Sequence, residues 1–207
     1  MNDKTQTIQF VLLGLFVSIL VASNAGGSKL IAIGSLTASA TVISYALSFL
    51  ITDVVSEVYG AKVANKFVWV GFIGAILSVL FFMMAVALPP ASFYNDQEAF
   101  EKVFSTTPRI LVGGFTSFLI SQLLDVRIFH YFKKLTKEKY LWLRNNASTL
   151  ISQFIDSCIF ITIAFYGVTD LLPLIMGQYL LKVIIAICDT PLVYAVTEMI
   201  KKWDDSV

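Results

Sequence analysis

Charge, histidine and cysteine are all scarce in this chain of 207 residues. Asp, Glu, Lys and Arg make up 14% of it, against 57% hydrophobic residues. One core cannot enclose that much apolar surface, so the composition excludes a single water-soluble domain and implies a multi-pass membrane protein. The formal net charge of +1 leaves no basic stripe, which argues against a nucleic-acid surface. The two cysteines, Cys158 and Cys188, lie in apolar runs without metal-ligand spacing. They read as small core residues rather than a disulfide framework. The single histidine, His130, falls at the end of an apolar run, where interfacial packing suits it. There is no Gly-x-Ser-x-Gly and no mid-span histidine, so an intramembrane hydrolase is disfavoured. The lack of a Gly-rich filter sequence favours a carrier over a channel.

What the chain does have is apolar length. A helix needs about 20 residues to cross the ~30 Å hydrocarbon layer. Six segments qualify: 8–24, 40–60, 66–88, 109–131, 147–168 and 173–199. The fold class expected is therefore an all-α membrane protein of six transmembrane helices, forming one domain over residues 1–207. "SNA" at Ser23–Ala25 resembles a cleavage site, but only Lys4 precedes the first run and the rest is equally apolar. That run is read as a first span, not a leader. Pro89-Pro90 closes the third helix, and "DQEAFEKVF" in the following loop suits a short amphipathic surface helix. "AGGSKLIAIGSLTASA" (Ala25–Ala40) is too polar for a span and too apolar for an ordinary loop. A folded-back or strand-like segment shielded by the bundle is expected there.

Basic residues set the orientation. Lys4, Lys62, Lys66, Lys133, Lys134, Lys137, Lys139, Arg144, Lys201 and Lys202 fall on one side; Lys29, Lys102 and Arg109 fall on the other. That bias predicts both termini in the cytoplasm. Trp69, Trp142 and Trp203 lie toward the same side, as in an aromatic belt.

One motif occurs twice. "SFLISQLLDVRIF" (Ser117–Phe129) is followed 31 residues later by "STLISQFIDSCIF" (Ser148–Phe160), with eight of thirteen positions identical. At 1.5 Å rise per residue, Asp53, Asp125, Asp156 and Asp189 lie about 12–18 Å in from the nearest cytoplasmic cation, and Gln122 and Gln153 fall at similar depth. Four carboxylates and two amides thus form a layer near mid-bilayer. Each such Asp costs about 2.5–3.5 kcal/mol on insertion scales. Polar groups can also merely hold helices together, at about 0.6 kcal/mol on average. Four acids in one layer point instead to a chamber at the usual depth of a transporter's substrate site. Glu57, one turn from Asp53, is read as an interfacial partner of Lys62 or Arg127. Lys182 is open between snorkelling outward and compensating charge in the chamber. Pro191 should kink the last helix and free a carbonyl.

Several stretches carry a resemblance. "SNAGGSK" (Ser23–Lys29), "TDVVSEVYG" (Thr52–Gly60), "TPRIL" (Thr107–Leu111), "SQLLDVRIF", "WLRNNASTLISQFIDS" (Trp142–Ser157) and "KVIIAICDTPLVY" (Lys182–Tyr194) resemble the queuosine precursor transporters, also called the vitamin uptake transporter family. The resemblance implies a bacterial inner-membrane importer of 7-cyano- or 7-aminomethyl-7-deazaguanine for tRNA modification. It also implies a fold similar to the substrate-binding subunits of energy-coupling vitamin transporters. No cofactor, catalytic residue or bound nucleic acid is implied. The expected partners are the small-molecule base and the bilayer, with a homodimer open because "LVGGF" (Leu111–Phe115) offers small residues for close helix approach.

The candidate substrate set is Asn24, Asp53, Gln122, Asp125, Gln153, Asp156, Lys182 and Asp189. A carboxylate accepts the adjacent N1–H and NH₂ of a guanine-type base in bidentate fashion, and a Gln amide can both donate and accept. Phe49, Phe118 and Phe154 are candidates for stacking. Replacing Asp156 with Asn is expected to abolish uptake in a folded protein. The competing class is a membrane-embedded vitamin- or nucleobase-binding subunit that needs a separate energising module.

Overall fold

The computed structural model describes residues 3–26, 29–33, 36–105, 108–168 and 170–203. Its elements are α1 (Asp3–Gly26), β1 (Leu30–Ile33), β2 (Leu36–Ser39), α2 (Val42–Tyr59), α3 (Ala61–Ala87), α4 (Gln97–Phe104), α5 (Pro108–Leu135), α6 (Leu141–Phe165) and α7 (Leu171–Trp203). All but α4 among the helices are long and apolar enough to cross a membrane, six in total. Each overlaps one of the segments expected from hydropathy.

The short α4 is the amphipathic segment after Pro89-Pro90. Phe100 and Phe104 pack on each other, and Phe104 also meets Phe82 of α3. Gln97 reaches the Val86 carbonyl at 3.3 Å, tying the loop back to the end of α3.

The apolar Ala25–Ala40 connection contains a β-hairpin, with Leu30 opposite Ser39 and Ile33 opposite Leu36. Strand pairing answers the problem that its composition posed. Each strand satisfies the other's backbone groups, which an irregular apolar loop beside lipid could not do. Lys29 and Ala40 extend the ladder through a 2.7 Å backbone bond, and β2 packs on α7. Gly34 and Ser35, between the strands, lie outside the described residues, as do Gly27 and Ser28.

Helix α2 is the hub. It touches α1, α3, α5 and α7, and every residue from Ser48 to Ser56 is buried. A helix enclosed on all sides cannot carry a polar face for water, so its Ser48, Thr52, Asp53 and Ser56 must find partners in the protein. α1 packs on α3 where Gly71 admits Phe16 and Leu20; any added Cβ would run into both side chains. α5 and α6 form the closest helix pair, with Gly113 seated against Ile163 and the Phe160 carbonyl. Arg109 donates to the carbonyls of Ile163 and Tyr166, capping the end of α6.

A single residue, Gly60, joins α2 to α3 at φ +83°. Helix α7 continues through Pro191, where the Ile187 carbonyl necessarily loses its helical N–H partner. Cys158 is half-buried, whereas Cys188 lies on the exterior of the bundle. The expectation that both cysteines are core residues is thus corrected for Cys188, because its side of α7 faces outward.

Candidate functional site

The duplicated motif forms a reciprocal joint. Ser121 of α5 donates to Asp156 of α6 at 3.2 Å, and Ser152 of α6 donates to Asp125 of α5 at 2.8 Å. Because the helices run antiparallel, each copy's serine meets the other copy's aspartate about a local two-fold axis. All four side chains are buried, at 2% exposure or less. Spacing the serine four residues before the aspartate puts both on one helix face, so one crossing satisfies both pairs.

Beyond this joint the two aspartates differ. Asp156 also receives the Lys182 ammonium of α7, and that ammonium lies 5.4 Å from the Tyr45 ring centroid. Lys182 is therefore a buried counter-ion, not a snorkelling cation. Asp125 instead stands beside Asp53 of α2, with the Ser148 hydroxyl also close to it. Thr149 donates to Oδ2 of Asp53 at 3.2 Å. Asp53 Oδ1 and Asp125 Oδ2 have no hydrogen-bond donor among the described residues.

Between α2, α6 and α7 runs a cavity of about 20 Å³, room for roughly one water. Tyr45, Phe49 and Asp53 line it from α2, and Lys182 and Asp189 from α7. Asn145, Thr149 and Gln153 line it from α6. Three of these side chains carry an acceptor oxygen without a partner among the described residues: Asp53 Oδ1, Asn145 Oδ1 and Gln153 Oε1. Buried polar atoms are nearly always paired, so three orphan acceptors on one cavity mark a place awaiting donors.

Of the eight expected site residues, the cavity brings together Asp53, Gln153, Lys182 and Asp189. Asp156 and Asp125 stand directly behind, through Lys182 and Asp53. Gln122 is not at the cavity. Its carbonyl accepts from Thr52 at 3.1 Å and its amide donates to Ser48 at 3.3 Å, so both ends bind α2 to α5. Asn24 belongs elsewhere: its amide donates to Ser78 at 3.2 Å and Ala75 O at 3.4 Å, joining α1 to α3.

Among the aromatic candidates, Phe49 lines the cavity and Phe118 packs edge-on to Tyr45 behind it. Phe154 is 43% exposed and meets Tyr179 on the outer face. Tyr45, Asn145 and Thr149 were not singled out from sequence. The signal for two of them was present: Asn145, Thr149 and Gln153 recur at i, i+4 on α6, one polar stripe leading to Asp156.

A second acidic centre lies one turn along α2. Glu57 accepts from Arg144 at 2.7 and 3.1 Å, and meets Lys133 at 3.2 Å and Lys201 at 3.3 Å. Neither Lys62 nor Arg127 is its partner; Arg127 projects outward from α5. Arg144, a connector cation by sequence, is 2% exposed and also donates to the Glu138 and Lys139 carbonyls. The cation-rich ends of α5, α6 and α7 thus converge on one carboxylate. His130 is half-buried near this end, beside Ala61, Asn65 and Arg127, away from the cavity.

Comparison with known proteins follows from these residues. The family described as "Putative vitamin uptake transporter" matches residues 39–196. The chain is similar to a "Probable queuosine precursor transporter" of Bacillus subtilis (strain 168), 36% identical over 196 residues, covering 91% of this chain and 85% of that protein. It is also similar to the "Queuosine precursor transporter" of Escherichia coli (strain K12), 28% identical over 155 residues, covering 70% of this chain and 65% of the relative. A "Probable queuosine precursor transporter" of Haemophilus influenzae (strain ATCC 51907 / DSM 11121 / KW20 / Rd) is 26% identical over 128 residues, 62% of this chain and 52% of the relative. No solved structure matches.

Proposed function

The chain belongs to the vitamin uptake transporter family, and from that premise we propose that it carries 7-deazaguanine precursors of queuosine, the 7-cyano and 7-aminomethyl forms, across the bacterial inner membrane with both termini in the cytoplasm. It is a transporter and not an enzyme. The observation that carries the substrate reading is the set of orphan acceptors, Asp53 Oδ1, Asn145 Oδ1 and Gln153 Oε1, on one cavity.

A 7-deazaguanine is unusually rich in donors. It offers N1–H, the exocyclic NH₂ and a pyrrole N–H, and carbon replaces the N7 acceptor of guanine. Asp53 takes N1–H and NH₂ together, and the Asn145 and Gln153 carbonyls take further donors. Lys182, held by Asp156, is the nearest donor for O6. Tyr45 and Phe49 supply flat apolar walls, worth about 1–3 kcal/mol where one stacks on the base. The cavity as it stands holds no purine-sized molecule, so this is a closed state and α2, α6 and α7 must part to admit the ligand. Because both oxygens of Asp156 are already engaged, Asp53 rather than Asp156 reads the guanine-like edge.

The test is uptake of labelled 7-deazaguanines in cells lacking precursor synthesis. We expect uptake with the intact gene, and a loss of about 10–100-fold in Asp53→Asn, matching a charged hydrogen bond of about 1.5–3 kcal/mol. Full uptake by Asp53→Asn in a folded protein would remove that residue from the site. Uptake by the purified protein alone in liposomes separates a self-sufficient carrier from a binding subunit that needs an energising partner.

A further inference from the structure

We propose that Asp53 and Asp125 together form a proton-binding site, one proton held between Asp53 Oδ1 and Asp125 Oδ2, through which import draws on a proton gradient. The inference rests on the carrier reading above and adds its driving force.

Each carboxyl group has one oxygen fixed by an α6 hydroxyl, Thr149 for Asp53 and Ser152 for Asp125. The remaining two oxygens have no hydrogen-bond partner among the described residues, and the donors Thr149 and Ser152 lie one turn apart on α6, so the two carboxyl groups stand side by side. Two carboxylates cannot satisfy one another, since both only accept; a shared proton turns one into the donor that the other needs.

Among the described residues no cation is paired with these two acids: on α5 itself Arg127 is exposed and Lys133 is bound to Glu57. On α6, Arg144 is bound to Glu57. On α7, Lys182 is bound to Asp156, and Asp189 adds further acid on the far side of the cavity. The next charge along α2 is Glu57, itself surrounded by Arg144, Lys133 and Lys201. α1 and α3 carry charge only near one end, as Asp3, Lys4, Lys62 and Lys66. Uncompensated negative charge at this depth is strongly unfavourable, and intramembrane acids of this kind mark proton paths.

The positions also suggest how proton and base are linked. Asp53 borders the cavity and Asp125 stands behind it, outside the lining. Gln153 and Asn145 line the same cavity, and their carbonyl oxygens are buried without a partner among the described residues, which suits a ligand that brings N–H donors. When those donors bind Asp53 as a carboxylate, the proton resides on Asp125 Oδ2. A base on Asp53 therefore requires a proton on Asp125, so the loaded protein carries both; the proton held by the empty pair leaves on the cytoplasmic side after the base and is replaced from outside before the next one binds. One proton crosses with each base.

Proteoliposomes containing the full chain and neutral 7-cyano-7-deazaguanine test this. At equal pH, exchange of labelled for unlabelled base reads the carrier itself. With the base outside in acidic medium, one pH unit should drive about tenfold accumulation at one proton per base. A protonophore should abolish it, and base addition should alkalinise the medium. Asp125→Asn should retain exchange yet lose gradient-driven accumulation. Exchange by the wild type without any pH-gradient dependence overturns the proton site and leaves the substrate reading standing. Absence of exchange overturns the substrate reading. Should Asp125→Asn fail to fold, the wild-type alkalinisation decides the matter alone.

Discussion

Asp53 and Glu57 sit four residues apart on the same helix, both carboxylates, Asp53 2% exposed and the Glu57 side chain 7%, yet their surroundings are opposite. Glu57 draws in three cations from α5, α6 and α7. Asp53 has one hydroxyl donor, an acidic neighbour and an open acceptor facing a cavity. The first arrangement is complete and holds helix ends together. The second leaves one carboxylate oxygen without a partner among the described residues. Burial of an acid therefore does not distinguish a structural role from a binding role; the count of its partners does.

Five substitutions break or sharpen that contrast. The largest effect is expected from Glu57→Gln, which leaves buried Arg144 without its carboxylate while Lys133 and Lys201 lose theirs. Removing one member of a buried ion pair costs about 3–5 kcal/mol, so thermal unfolding in detergent should show a steep loss of stability. A variant with wild-type unfolding would erase the difference between the two centres. Asp53→Asn should do the reverse: stability within about 1 kcal/mol of wild type, with a loss of uptake, because the amide keeps the shape and its N–H can donate to Asp125 in place of the shared proton.

The reciprocal joint gives a finer test. Ser152→Ala deprives Asp125 of its serine donor and should cost about 1–3 kcal/mol, whereas Ser121→Ala leaves Asp156 with Lys182 and should cost about 1 kcal/mol or less. Equal losses in paired unfolding experiments would mean that Lys182 does not stabilise Asp156. Asn24→Ala should be smallest, below about 1 kcal/mol in stability and with unchanged uptake, since its bonds run between α1 and α3. A defect in uptake there would return Asn24 to the substrate path.

How far the sequence discloses this site depends on which coordinate is asked for. A rise per residue and a basic reference place Asp53, Asp125, Asp156, Asp189, Gln122 and Gln153 in one layer; in the structure Asp53, Gln153 and Asp189 line the cavity, Asp156 and Asp125 stand behind it, and Gln122 bonds to α2 instead. Rotation about the helix axis has no such measure. Gln122 and Gln153 occupy the same place in the repeat, but α2 lies against α5 and claims Gln122, while the equivalent face of α6 opens toward α7 and leaves Gln153 on the cavity. A local two-fold relates α5 to α6 and nothing else around them, so identical residues met different neighbours. Arg144 was misplaced for a related reason. Its position just before a span reads as solvated, yet Glu57 at the end of α2 draws it inward. The hairpin was foreseeable in kind because its residues fit neither lipid nor water, and only paired strands reconcile the two.

The joint at Gly60 has a mechanical corollary. Its φ of +83° suits glycine, and an added Cβ would meet nothing within 4 Å, so the restriction there is on backbone conformation and not on space. With a lone residue as coupling, α2 has no slack against α3 and cannot slide independently of it. The tether between α6 and α7 is longer, spanning 166–170. Of the helices that line the cavity, α7 is thus joined to its predecessor by a longer connection than the one that follows α2.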